Sequence, residues 1–210
     1  ALDEFSNPRK AGIIAIDFDD GDYLIGAALT DGHHDVMLFS DGGKAVRFAE
    51  GDLRPMGRNA RGNKGMTLDE GQSVIAMLVA EDESQSVLTA TENGYGKRTG
   101  IAEYTRHGRG TKGMIAIQQS ERNGKVVAAT LVRPDDEIML ITDRGVLVRT
   151  RVAEIRELGR ATQGVTLIAL DNGSKLIGLQ RIVENDANGD TPPEPPNGSA
   201  HEEPPAEENP

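Results

Sequence analysis

The sequence predicts an all-β protein, a propeller-like series of four-stranded blades followed by a disordered acidic tail. Three observations predict it. Stretches VMLFSDGGKAVRF (36–48), VLTATENGYGKRT (87–99) and IMLITDRGVLVRT (138–150) repeat at a spacing of 51 residues. Each holds two short runs joined by a turn that ends in glycine, the pattern of a β-hairpin. Few stretches show an uninterrupted 3.6-residue apolar period, so a helical or α/β architecture has little support.

The alignment of the three copies is dense. Val36, Val87 and Ile138 coincide, as do Gly43, Gly94 and Gly145, and Arg47, Arg98 and Arg149. Gly57, Gly108 and Gly159 follow in step, each with an arginine after it: Arg58, Arg109 and Arg160. In each unit an apolar strand leads through the turn to a second strand. A long polar loop rich in Gly and Arg comes next. A third strand (114–117, 165–170) and a fourth (126–132, 176–182) complete the unit. Four strands in about fifty residues is the signature of a propeller blade. The units run 36–86, 87–137 and 138–183. Residues 1–35 read as the back half of a further unit, because GDYLIGAALT (21–30) resembles GSKLIGLQRI (173–182). A chain that starts inside a repeat, at Ala1 and not at Met, reads as a piece of a longer protein.

The last segment differs in kind. Residues 184–210 carry eight acidic residues, no Lys or Arg, and seven of the ten prolines. Such a segment buries too little apolar surface to offset its ordering entropy, so 184–210 is expected to be a disordered acidic tail. It serves either as a solubilising end or as an anionic competitor for a basic surface on the same chain. The chain has no Cys, which excludes disulfides and thiolate metal sites. No apolar run approaches the length of a membrane span and no signal peptide opens the chain, so a soluble cytoplasmic protein is the default.

Positive charge gathers in the polar loops. Residues 44–64 hold six basic and two acidic residues, 97–112 five and one, and 144–160 five and two. Repeated loops project from one edge of successive blades and would make a curved basic rim. Glycine lets backbone approach phosphate closely, and the arginine fork matches phosphate oxygens. A spaced series of such loops suits duplex nucleic acid, bent and held without base reading. Seven aromatics and no Trp argue against a stacking platform for single strands. The candidate DNA-binding residues are Lys44, Arg47, Arg54, Arg58, Arg61, Lys64, Lys97, Arg98, Arg106, Arg109, Lys112, Arg149, Arg151, Arg156 and Arg160. A structural role competes for three of them. Arg47, Arg98 and Arg149 each lie five residues before an acid (Asp52, Glu103, Glu154), as ion pairs at the strand-to-loop corner would. Arg58, Arg61, Lys64, Arg106, Arg109, Lys112 and Arg160 have no such regular acidic partner.

No catalytic site is expected. His33, His34, His107 and His201 lack metal-ligand spacing, and GRGTKG lacks the spacing and following helix of a phosphate-binding loop. Tyr104 takes the place of Leu53 and Ile155 in the repeat and is expected to pack. No metal or cofactor is expected here.

TATENGYGKRT, MLITDRGVLVRTRVAEI and GRATQGVTLI resemble the C-terminal domain of the bacterial DNA gyrase A subunit, over essentially all of 1–183. The resemblance implies a β-pinwheel whose neighbouring blades exchange strands. It also implies that duplex DNA wraps around the basic perimeter and presents a positive crossover for ATP-dependent negative supercoiling. The implied partners are the gyrase A N-terminal core and the B subunit in an A2B2 holoenzyme, with ATP and Mg used elsewhere in it, in the bacterial cytoplasm at the nucleoid. The acidic tail is implied to tune wrapping. The family's glutamine-and-glycine box is absent. RHGRGTKG (106–113) and RNARGNKG (58–65) resemble its degenerate counterparts. About two of six blades and the catalytic tyrosine domain are also absent. The alternatives are the C-terminal domain of the topoisomerase IV A-type subunit, and a non-enzymatic propeller scaffold for an acidic protein.

Overall fold

The computed structural model describes residues 1–171 and 173–182, so the expected acidic tail lies outside the described residues. Eleven strands are described. They are β1 (Asp35–Ser40), β2 (Lys44–Ala49), β3 (Val74–Ala80), β4 (Ser86–Thr91), β5 (Tyr95–Gly100), β6 (Met114–Ile115), β7 (Val126–Val132), β8 (Glu137–Thr142), β9 (Leu147–Arg151), β10 (Val165–Thr166) and β11 (Leu176–Ile182). They form three antiparallel sheets, ordered β3-β1-β2-β6, β10-β5-β4-β7 and β11-β8-β9.

The repeat unit and the sheet are therefore not the same object. Each sheet takes three strands from one unit. In the first two sheets the fourth strand comes from the unit that follows. Lys44 and Ala45 pair with Ile115 and Met114. Tyr95 and Gly96 pair with Thr166 and Val165. The donated strands are two residues long, shorter than the 114–117 and 165–170 read from sequence, because the chain bends away after contacting the turn glycine. Ala116 and Ile117 both donate backbone N–H to the Gly43 carbonyl, and Leu167 and Ile168 to that of Gly94.

Alternation along β1 and β4 buries both faces, whereas β8 buries one face and leaves the other half-buried. On β1, Met37 and Phe39 point toward the second sheet, into a cluster with Val87, Ile101 and Tyr104. On β4, Leu88 and Ala90 point toward the third sheet and meet Ile138, Leu140, Val152 and Ile155. The cores thus lie between sheets, and each depends on two units. Tyr104 is fully buried, edge-on to Phe39 at 5.9 Å between ring centroids. That is the packing role its place in the repeat predicts.

Residues 21–30, which resemble 173–182 in sequence, form no strand. Fourth strands pair with the first strand of their own unit, as β3 does with β1, β7 with β4 and β11 with β8. Among the described residues none occupies that position for 21–30, and Tyr23, Leu24 and Leu29 are exposed.

Glycine is required where units exchange strands. Gly113 and Gly164 have φ of +73° and +81°, and a Cβ would lie 2.4 Å from the Ala45 carbonyl oxygen and 2.6 Å from that of Gly96. Gly62 shares the conformation (φ +85°) but has open space, its nearest atom 3.8 Å away. Gly62→Ala is expected to cost about 1–2 kcal/mol, the conformational penalty alone. Gly113→Ala and Gly164→Ala are expected to cost clearly more, because donated backbone must move. Urea midpoints of the three variants measure this, and equal losses would deny the close approach any energetic role.

Candidate nucleic-acid interface

The polar loops of successive units lie side by side. Thr67 N–H donates to the Thr111 carbonyl (2.8 Å), and the Thr67 hydroxyl to that of Gly110 (2.8 Å). One unit further on, Gln118 N–H reaches the Thr162 carbonyl (2.9 Å), and the Asn123 amide that of Gln163 (3.1 Å). This stacking follows from strand donation, since each loop leads directly into the strand that the previous sheet captures. It produces one continuous edge that carries the basic residues.

The repeated arginines hold the seams of that edge together. At the first seam, Arg47 Nη1 donates to the carbonyls of Ile101 (3.0 Å) and Tyr104 (3.1 Å) in the next unit. Arg98 Nε does the same to Ile155 at the second seam (2.8 Å). The arginine after the loop glycine reaches backward. Arg109 Nε and Nη1 donate to the carbonyls of Asp52 (3.4 Å) and Lys64 (3.3 Å). Arg160 Nε and Nη1 donate to those of Glu103 and Ile115, each at 2.7 Å. The acceptors are 51 residues apart, as the donors are. Arg58 keeps half of the pattern. Its Nη1 donates to the Ile14 carbonyl (2.7 Å), while its buried Nε has no hydrogen bond. The register counterpart of Asp52 and Glu103 would be Ala1.

These contacts correct the sequence reading in three ways. Arg47, Arg98 and Arg149 do not pair with the acids five residues on. Arg47 Nε pairs with Asp35 (2.7 Å) and its Nη2 with Glu83 (3.2 Å). Arg149 pairs with Glu137, and Arg98 lies 3.9 Å from Glu157. The hairpin partners Asp35 and Glu137 and the loop acids Glu83 and Glu157 set these pairs, and a linear spacing of five does not. Secondly, Arg58, Arg109 and Arg160 do have regular partners, which are backbone carbonyls and carry no letter in the sequence. Thirdly, Arg47 (7% exposed) and Lys97 (0%) are buried, and neither can reach a phosphate on the surface.

Lys97 shows why a basic residue can sit inside. Its ammonium donates to the Gly159 carbonyl (2.6 Å) and to that of Arg160. Beside it the Thr99 hydroxyl donates to the Leu158 carbonyl (2.8 Å). Lys97, Arg98 and Thr99 together grip the carbonyls of residues 155–160. The counterparts of Lys97 are the apolar Val46 and Val148, so this grip belongs to one seam.

The remaining candidates face solvent. Arg54, Lys64 and Arg156 are exposed and Lys44 half-buried, and none forms an ion pair among the described residues. Arg61 pairs with Asp19 (2.6 Å), Arg106 with Asp35 (2.8 Å), Lys112 with Asp69 (2.7 Å) and Arg151 with Glu154 (2.6 Å). Arg61, Lys112 and Arg151 pair with exposed carboxylates, and exposed pairs of this kind contribute about 0–1 kcal/mol. At these three pairs a phosphate can replace the carboxylate at little cost. Arg106 is instead held by the buried Asp35, which Arg47 shares. Arg54 and Arg156 occupy one position of the repeat, and Arg61 and Lys112 another, so the exposed charges recur along the edge.

One cluster escaped sequence reasoning. Asp31, His34 and Glu50 each bring a ligand atom to within 4.8 Å of the others. His34 Nδ1 lies 3.0 Å from Asp31, while Glu50 accepts from the Thr30 hydroxyl and Gly32 N–H. Only the three-residue step from Asp31 to His34 could have signalled it. Among the described residues no helix is long and apolar enough to cross a membrane.

Burial pulls the Lys97 ammonium down to about 8 from an ordinary 10.5. Repulsion from Arg160 adds to this and Glu103 opposes it. Between those values the unfolded chain keeps a proton that the folded chain has shed, so stability rises with pH across the window. Urea unfolding at pH 7.5–10.5 is expected to show this rise, and Lys97→Met is expected to flatten it. An unchanged slope in Lys97→Met would place the titrating group elsewhere.

Comparison with known proteins agrees with this geometry. The family described as DNA gyrase C-terminal domain, beta-propeller, matches residues 1–31, 34–81, 85–133 and 136–182. The DNA gyrase A subunit of Pseudomonas aeruginosa is 52% identical over 189 residues, which cover 90% of this chain and 20% of that protein. Its Escherichia coli K12 counterpart is 52% identical over 183 residues, 87% of this chain and 21% of that protein. The chain thus spans about a fifth of the length of these curated relatives. A solved DNA gyrase A C-terminal domain superposes with a TM-score of 0.75 at 31% identity, over 83% of this chain and 59% of that one. The C-terminal domain of DNA topoisomerase IV superposes at 0.81 with 22% identity, over 86% and 57%, which establishes shared fold alone.

Proposed function

Because this chain belongs to the DNA gyrase C-terminal domain family, a beta-propeller family, we propose that it is the DNA-wrapping module of a gyrase A protein. The observation that carries the reading is the stacked-loop edge. Exposed cations recur on it at fixed repeat positions, and several have no internal partner. Phosphates of duplex DNA would replace the weak carboxylate partners of Arg61, Lys112 and Arg151 and add Lys44, Arg54, Lys64 and Arg156. Contacts of this kind position a duplex without reading bases, so binding is sequence-nonspecific. Many weak contacts spread along the edge would together bend the duplex.

In the full-length protein this module would act beside the gyrase A core and the B subunit of an A2B2 gyrase, in the bacterial cytoplasm at the nucleoid. The wrapped segment would be handed as a positive crossover to strand passage. Cleavage chemistry, ATP and Mg belong to those other parts. The acidic residues 184–210 would compete with DNA for the same edge. The 52% identity to gyrase A proteins over most of the chain favours gyrase over topoisomerase IV.

The test is duplex binding over a salt series, with end-to-end FRET for bending. Five to eight phosphate contacts predict a log–log slope of about −4 to −7. Arg156→Ala is expected to weaken binding to all sequences, reduce the slope by about 1, and leave the unfolding midpoint unchanged. Arg160→Ala is expected to behave oppositely, losing about 1–3 kcal/mol of stability as two carbonyls lose a charged donor. Deleting 184–210 is expected to tighten binding. Absence of binding at low salt without that segment would remove the DNA reading.

A further inference from the structure

We propose that Asp31, His34 and Glu50 form a binding site for a divalent transition-metal ion of the zinc type, which pins the linker before β1 to the corner after β2. The inference goes beyond DNA binding and does not rest on it.

Backbone pairing brings the three residues together. β1 and β2 pair Asp35 with Ala49 at the open end of their hairpin. His34 and Glu50 lie just outside that pair, and Glu50 N–H donates to the His34 carbonyl (2.9 Å). Asp31 turns the linker toward them, because its carboxylate accepts the His33 N–H (2.9 Å). The same backbone recurs further along the chain. Asp82 accepts the Ser84 N–H (2.7 Å). Ile101 N–H donates to the Gln85 carbonyl (3.4 Å), and Val152 N–H to that of Asp136 (2.9 Å). The frame is thus a property of the repeat, and only the side chains on it differ. Positions 31, 34 and 50 correspond to Asp82, Gln85 and Ile101, and to Arg133, Asp136 and Val152. Ile101 and Val152 hold their corners by apolar burial. A carboxylate cannot serve in that way, and a bound ion would hold this corner instead.

The side chains make a metal-ligand set. One ligand atom from each lies within 4.8 Å of the others. Donors around a tetrahedral zinc ion sit about 3.4 Å apart, so modest side-chain rotation closes the set. His34 Nδ1 is shut off from solvent and makes no hydrogen bond, although an Asp31 carboxylate oxygen is 3.0 Å away. A buried ring nitrogen without a hydrogen bond is costly. Its lone pair, beside two carboxylates, is what a metal ion takes. Neither carboxylate pairs with Lys or Arg among the described residues, so two negative charges stand uncompensated when His34 is neutral. Glu50 is held in place by the Thr30 hydroxyl and by Gly32 N–H (3.0 Å), as outer donors hold a ligating carboxylate. Asp31 is exposed and gives an ion its entry. One imidazole and two carboxylates suit Zn2+ better than Mg2+, which binds through oxygen and keeps its waters.

The test is calorimetric titration of the tag-free 210-residue chain, stripped with EDTA, with Zn2+ in excess Mg2+. Zinc is expected to fill one strong site and to raise the thermal unfolding midpoint. His34→Gln and Glu50→Gln are each expected to weaken that site by at least about a hundredfold, and Thr30→Val by about tenfold to a hundredfold. Far-UV spectra are expected to stay unchanged. His33→Gln, which leaves the set intact, is expected to bind as the original chain does. Co2+ is expected to give a visible absorption band that His34→Gln removes. Background binding by His201 and the acids of 184–210 is common to all these chains. Absence of a strong site overturns the proposal. So does a site that survives both His34→Gln and Glu50→Gln, or one that His33→Gln removes equally.

Discussion

Capture of one unit's chain by the second strand of the unit before it is the constraint on which the rest depends. Two residues cross over, Met114-Ile115 or Val165-Thr166, and the turn glycine of the receiving unit accepts two further N–H groups. A sheet built this way is complete only when its neighbour is folded. The apolar clusters obey the same rule, since Met37 and Phe39 find partners on the next unit and Leu88 and Ala90 on the one after. The repeat therefore behaves as a row of mutually completed elements, and interface energy counts for as much as the energy of any one unit.

Electrostatics follow from that geometry. Donation brings each polar loop against the loop before it and crowds backbone carbonyls at every seam. Those carbonyls need donors. Arg47, Arg98, Arg109, Arg160 and Lys97 supply them, each with a charged group donating to main chain. Charge that is left over, at Arg54, Lys64, Arg156 and the weakly paired Arg61, Lys112 and Arg151, lines the outer edge. A single segregation of basic residues into loops thus supplies both the donors of the seams and the exposed charge of the edge.

Much of the fold was legible. The 51-residue spacing of Val36, Val87 and Ile138 reports the first strands, and the turn glycines report the hairpins. Tyr104 was readable as core because Leu53 and Ile155 share its position. The basic edge was legible as a property of segments. Individual roles were not. An arginine that serves a carbonyl looks the same in sequence as one that serves a phosphate, which is why Arg109 and Arg160 seemed unpartnered. Asp35, and not Asp52, pairs with Arg47 because a hairpin folds them together across twelve residues. Residues 21–30 form no strand for a different reason. Its pattern is sound, but a strand needs a neighbour, and pattern alone does not supply one.

Native-state amide hydrogen exchange tests the central constraint most directly. The N–H groups of Leu167 and Ile168 belong to the third unit by sequence and to the second sheet by hydrogen bonding. If capture holds the row together, their opening free energies track those of β4 and β5, and those of Ala116 and Ile117 track β1 and β2. Exchange of these amides with β8 and β9 in the first case, or β4 and β5 in the second, would contradict the account. The units would then be independent blades that merely touch.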